Sequence, residues 1–127
     1  MCGDVQYDST EEPAVTGVCH CPDCQKQTGT AFSVIVGLSS DSLIVEGATT
    51  VYETMGQSGQ PVERHFCGNC GSPLYSVVHS MPGTTFLKAG TLDDTSWLEP
   101  AVEFFCETSQ AWLEQDDERT KFPLMPE

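Results

Sequence analysis

Basic residues are nearly missing from this chain: five lysines and arginines stand against nineteen aspartates and glutamates, for a formal charge of −14. Binding to nucleic acid or to an anionic membrane needs a basic footprint that displaces counterions, so charge disfavours both partner classes, a zinc-ribbon nucleic-acid binder included. Long apolar runs are missing too, as is a basic stretch followed by an apolar one at the start. The chain therefore reads as a soluble protein kept in the cytoplasm. Internal repeats, low-complexity tracts and linkers are likewise absent, so residues 1–127 read as a single domain. The hydrophobic share of 39% permits a modest core that metal staples would reinforce. The acidity itself reads first as a solvated surface, suited to a salty habitat as much as to a function.

Cysteine is what the chain has in unusual supply. Seven are present, an odd number, and six stand at ligand spacing, which suits metal binding in a reducing compartment better than a disulfide framework. The densest group is Cys19-His20-Cys21-Pro22-Asp23-Cys24. Thiols spaced this way can converge through a turn on one tetrahedral ion at a zinc–sulfur distance of about 2.3 Å. Three thiolates leave one position free. A structural site fills that position with a fourth protein ligand, whereas a catalytic site keeps it for water or substrate.

A second group, Cys67-Gly68-Asn69-Cys70-Gly71, has the form of a zinc knuckle, in which a tight turn lets backbone amides face the sulfurs. It supplies two ligands and needs another source, either Cys2 or the central cluster. If the central cluster joined it, five thiols would compete for four positions, so two separate sites are the favoured arrangement.

The intervening segments read as short strands. Val5 and Tyr7 alternate on one face, Ala14 to Val18 delivers the chain into the cysteine cluster, and Pro22 to Gln27 forms one or two helical turns ended by Gly29. Ala31 to Leu38 is nearly continuous in its hydrophobicity, as expected of a central strand buried on both faces. Leu43 to Gly47, Thr49 to Glu53, Val62 to Phe66, Leu74 to His79, Thr84 to Gly90 and Val102 to Cys106 complete a mainly β chain of short antiparallel strands. The two that flank the knuckle make a zinc-ribbon hairpin. Trp97 and Trp112 are expected to cover core edges, Asp116 to Lys121 to form a solvated loop, and Cys106 to be a buried, inert thiol.

Other candidates follow from residue type. His20 lies between two ligands and is expected to turn away to a backbone partner; His65 and His79 flank the knuckle as stand-in ligands or ordinary strand residues. Lys26, Arg64 and Lys88 are conspicuous where cations are scarce, as contacts for an anionic thiol or as surface ion pairs. Phe32, Phe66 and Trp97 are candidates to line a pocket near the metal, or are simply core.

In order and interval, Cys2-Gly3-Asp4-Val5-Gln6-Tyr7, the Cys19–Cys24 cluster with Thr28-Gly29 and Phe32, Phe66-Cys67-Gly68-Asn69-Cys70-Gly71-Ser72-Pro73-Leu74 and the closing Trp112 to Pro123 segment resemble the glutathione-dependent formaldehyde-activating enzyme family. The resemblance implies a zinc-bearing, tent-like β fold and a catalytic zinc held by Cys19, Cys21 and Cys24. It implies a structural zinc held by Cys2, Cys67 and Cys70, whose fourth family ligand would fall one residue before Met1, so that partial or absent occupancy is expected there. One or two zinc ions per chain follow. The implied activity is condensation of glutathione with formaldehyde, a carbon–sulfur lyase reaction in reverse, with a small thiol and a small aldehyde as partners. Chemistry agrees: an electron-rich zinc thiolate centre delivers a sulfur nucleophile better than it polarises a carbonyl. The alternative is a zinc-stapled module that binds a protein through an exposed sheet face.

Overall fold

The computed structural model describes residues 1–114, 116 and 118–126, which form ten strands and one short helix. In chain order these are β1 (Gln6–Ser9), β2 (Val15–Cys19), α1 (Pro22–Thr28), β3 (Ser33–Ser39), β4 (Leu43–Glu46) and β5 (Thr50–Met55). They continue as β6 (Pro61–Phe66), β7 (Pro73–Val78), β8 (Thr84–Lys88), β9 (Val102–Phe104) and β10 (Thr120–Lys121). Eight strands form one sheet in the order β10-β9-β2-β3-β8-β7-β6-β5, and β1 pairs with β4 as a separate ribbon. The mainly β architecture expected of the sequence is therefore present. Antiparallel pairing is not universal, since β9 runs parallel to both β2 and β10. Parallel partners need a long connection, and the whole middle of the chain separates β2 from β9.

β3 is the spine, and its alternation explains why both faces of the sheet are covered. Ile35 points into a cluster with Cys19, Cys24, Phe86 and Phe104. Val36 and Leu38 point the other way, packing with Leu87 and Ala89 beneath Tyr7, Leu92 and Leu98. Val36 and Leu87 are each only 1% exposed, burial that stabilises the fold by about 1.5–3 kcal/mol per side chain. Gly37 sits where no side chain fits: a Cβ there would lie 2.6 Å from Val15 Cγ1 and 3.2 Å from Phe86 Cε1. Its absence lets the Phe86 ring lie across the sheet.

The β6–β7 hairpin ends in the knuckle. The register slips between His65 and Phe66, and the turn closes as Cys67 N donates to Ser72 O (3.0 Å) and Gly71 N to Cys67 O (2.8 Å). Gly71 takes φ +80°, a conformation that favours glycine.

Three expectations at the surface are corrected. Trp97 and Trp112 are 46% and 71% exposed. Their indole N–H groups are satisfied locally, by Asp94 O and Gln110 Oε1, so no burial is needed to pair them. Part of the Asp116 to Lys121 run is not a solvated loop, because Thr120 and Lys121 pair with β9; Asp117 lies outside the described residues. Cys106 is half-buried, with its thiol donating to Glu103 O at 3.6 Å. No helix among the described residues is long and apolar enough to cross a membrane.

Candidate functional site

β2 ends at Cys19, with its side chain in the core. The chain then turns at Cys21, the N-cap of α1, whose Sγ accepts the Cys24 amide at 3.3 Å while its carbonyl accepts Gln25 N. Pro22 suits the first helical position, and Gly29 closes the helix at φ 69°. A strand end followed by one helical turn thus brings the sulfurs of Cys19, Cys21 and Cys24 within 4.8 Å of one another. Cys19 and Cys24 are buried and Cys21 is half-buried.

The donor set fits zinc. Three soft thiols within 4.8 Å of one another are zinc's preferred company, and an amide N–H on one sulfur is the kind of outer bond that holds such a ligand in place. The electrostatics agree. The Cys24 thiol is pulled down to about 2, chiefly by hydrogen bonding from Cys19 and then Cys21, with Lys88 and Arg64 adding to it against the cost of burial. Cys19 is pushed far up by hydrogen bonding to Cys21 and Cys24 and by burial. A crowded trio shares protons in this way until a dication displaces them.

Two cations stand beside the trio on the same face. Arg64 is 8% exposed, with Nη1 donating to Gln27 Oε1 at 2.9 Å and lying 3.9 Å from Cys24 Sγ. Lys88 is 6% exposed, and its Nζ donates to Ser33 Oγ at 2.9 Å. The register sets Arg64 opposite Ser76, Ser76 opposite Phe86 and Lys88 opposite Ile35. Among the described residues neither cation forms an ion pair with a carboxylate. The Ser76 hydroxyl in the same row is buried without a hydrogen-bond partner. Burial pulls the Lys88 pKa below its ordinary value, and the Cys24 thiolate pushes it back. These two cations are therefore not surface ion pairs. Lys26 is exposed on α1, beside Trp112 and Gln110 in a shallow cleft.

His20 goes to the other face, as strand alternation requires. Its partner is not the backbone but a carboxylate: Nε2 lies 2.7 Å from Glu103 Oε1, with both side chains almost wholly buried. Glu103 Oε2 lies 3.9 Å from Arg119 Nη1 and 3.8 Å from Lys121 Nζ. The His20 carbonyl accepts Gln25 Nε2 (2.7 Å) and Thr108 Oγ1 (3.1 Å), and the ring meets Phe32 edge-on at 5.8 Å. His20, Glu103 and Cys106 also bring donors within 4.8 Å. Two cations already serve that carboxylate, so an added dication would compete with them. Glu103 was not among the candidates read from the sequence; the signal was a lone carboxylate inside the apolar run Val102-Glu103-Phe104-Phe105.

The knuckle meets Cys2 rather than the central cluster. Cys2, Cys67 and Cys70 sulfurs lie within 4.8 Å, with Cys2 Sγ 3.6 Å from Cys67 Sγ. Cys70 is held low, at about 5, by the Ser72 hydroxyl 3.2 Å away and then by the Ser72 amide. Among the described residues no fourth histidine, cysteine or carboxylate joins the group. His65 is turned to Thr49 Oγ1 (2.7 Å) and stacks on Tyr75 at 4.4 Å, and His79 bonds Glu63 at 2.6 Å.

The three aromatic candidates, read as pocket lining or as core, have three different settings. Trp97 lines a cleft of about 860 Å³ on the opposite face, with Tyr7, Leu38 and Thr91. Phe32 stands against His20, and Phe66 is half-buried at the foot of the knuckle.

Set beside known proteins, residues 1–108 match the sequence profile described as glutathione-dependent formaldehyde-activating enzyme. A Halomonas elongata protein named provisionally for that enzyme is 28% identical over 119 residues, which cover 89% of this chain and 76% of the relative. A Talaromyces marneffei protein with the same provisional name is 29% identical over 90 residues, covering 68% of this chain and 48% of its own, so this chain spans about half of that relative. In fold, a crystal structure of a Rhodobacter sphaeroides protein superposes with a TM-score of 0.58 at 21% identity, covering 78% of this chain and 86% of that one.

Proposed function

Because the chain belongs to the glutathione-dependent formaldehyde-activating enzyme family, we propose that it is a zinc enzyme joining a small thiol, such as glutathione, to a small aldehyde, such as formaldehyde. The observation that carries this reading is the Cys19, Cys21 and Cys24 trio: three thiols that no fourth histidine, cysteine or carboxylate joins among the described residues, next to the buried cations Arg64 and Lys88. When bound there, zinc supplies a position at which an incoming thiol loses its proton and becomes a nucleophile at neutral pH. Cys19 and Cys24, fixed by the core, and Cys21, fixed by the α1 cap, would hold that ion. Buried surroundings exclude bulk water, which strengthens each charge interaction made there.

The sulfur then bonds to the carbonyl carbon as the C=O π pair moves to oxygen, and the proton given up by the thiol returns to that oxygen. The product is a hydroxymethyl thioether in the formaldehyde case, and the reverse step is the carbon–sulfur lyase reaction. Cys2, Cys67 and Cys70 would hold a second, structural zinc in this reading, loosely and at partial occupancy because they offer it three thiols. The test is NMR exchange between labelled formaldehyde and S-hydroxymethylglutathione, measured for the zinc-loaded chain and for Cys21→Ser. Acceleration over the uncatalysed rate that disappears with Cys21→Ser supports the proposal; equal rates for both proteins reject it.

A second reading, a non-catalytic binding module, draws on the edge strand β5, where Val51, Tyr52 and Met55 are 46%, 64% and 64% exposed. Its mark would be a metal trio indifferent to thiols.

A further inference from the structure

Arg64, Lys88, Ser76 and Ser33 line one polar patch on the thiol face of the sheet, and every one of them is at least nine-tenths buried. Burying a cation is costly unless an opposite charge compensates it, and here no carboxylate does so among the described residues. The thiol trio compensates part. Three thiolates around one dication sum to a single negative charge, against two positive charges on Arg64 and Lys88. One positive charge is left over, in a protein whose remaining surface is strongly negative. The unpartnered Ser76 hydroxyl, directly across from Arg64, adds a free donor to the same patch.

Resting on the thiol-addition reading above, we propose that Arg64 and Lys88, with Ser76, form an anion-binding site beside the Cys19–Cys21–Cys24 centre. Its ligand is an anionic sulfur or oxygen group, and in the reaction this is the thiolate and then the alkoxide oxygen created as sulfur adds to the aldehyde. In that step one C–S bond forms, the carbonyl π bond becomes an oxygen lone pair, and the negative charge passes from sulfur to oxygen. Both atoms of that transfer need a positive neighbour, and a pair of fixed cations provides one without reorganisation. Neutral ligands would gain nothing from the surplus charge. The site therefore selects by charge, not by size alone.

Cobalt(II) loaded in place of zinc gives absorption bands that report a new fourth ligand without any turnover. Wild type, Arg64→Gln and Lys88→Met are each titrated with glutathione, with azide as an inorganic anion and with imidazole as a neutral donor; Arg64→Lys, which keeps the charge, serves as the rescue. The expected result is glutathione and azide affinities about ten-fold weaker in Arg64→Gln and in Lys88→Met, unchanged imidazole affinity, and near-wild-type behaviour of Arg64→Lys. Parallel loss for all three ligands, or no loss for either anion, overturns the anion site. Azide binding that depends on Arg64 in a protein that ignores glutathione would uphold the site and sink the thiol-addition reading instead.

Discussion

Glu103 shows how a single residue can organise a cysteine loop it never touches. Its carboxylate joins His20, which sits between Cys19 and Cys21, to Arg119 and Lys121 near the end of the chain. Glu103→Ala leaves His20 Nε2 buried without its acceptor, and removing one partner of a buried pair costs about 3–5 kcal/mol. The expected outcome is a loss of that size in urea unfolding, with Glu103→Gln, which keeps an acceptor at His20, losing less. Gly37 makes a second residue-scale case: Gly37→Ala pushes a methyl against Val15 and Phe86 and should destabilise by about 1–3 kcal/mol in the same assay. The cysteines and the scarce cations were legible in the sequence because their chemistry and rarity announce them. The His20–Glu103 pair was not, since its members lie far apart in the chain and only the β2–β9 register makes them neighbours.

Elements were read well where period and punctuation agree. Pro22 and Gly29 bracket α1, and the continuous apolar run of β3 proved to be the sheet's spine. The parallel placement of β9 was not readable, because pairing between distant strands leaves no local signature. The β1–β4 ribbon docks on the main sheet through Tyr7, whose hydroxyl pairs with Thr91. Burial, first, raises the Tyr7 pKa above its ordinary 10.0, outweighing the Thr91 hydrogen bond that lowers it. Its stabilising contribution is complete below pH 10 and is lost as pH rises through the higher folded value. Alkaline titration should therefore loosen the ribbon, seen as faster hydrogen exchange in residues 6–9 and 43–46. Tyr7→Phe should remove the part of that response that belongs to tyrosine ionisation. At the hairpin tip, the trio of Cys2, Cys67 and Cys70 includes an exposed thiol, whereas Cys19 and Cys24 are buried. Chelator should thus draw zinc out in two phases, the faster from the hairpin, and Cys2→Ser should abolish the fast phase while leaving the slow one.

Across the whole molecule, charge is distributed against its own average. Of the five basic residues, Arg64 and Lys88 lie by the thiol trio and Arg119 and Lys121 by Glu103, which leaves Lys26 as the only one standing apart from both places. The exterior is then almost uniformly negative and repels itself at low ionic strength. Salt should stabilise the fold by about 1 kcal/mol between roughly 0.01 and 0.5 M, a shift of a few degrees in Tm. The same exterior repels an anionic thiol before it reaches the buried cations, and those two effects respond to salt differently. Surface repulsion is screened at a Debye length of about 8 Å, while buried charges are screened much less. The association rate of glutathione with the cobalt-loaded chain should therefore rise with added salt, and its dissociation rate should change little. A neutral thiol such as 2-mercaptoethanol should show a flat association rate under the same conditions. Stopped-flow absorption separates the two, and a glutathione association rate that falls with salt would mean that the cations act from the surface instead of from within.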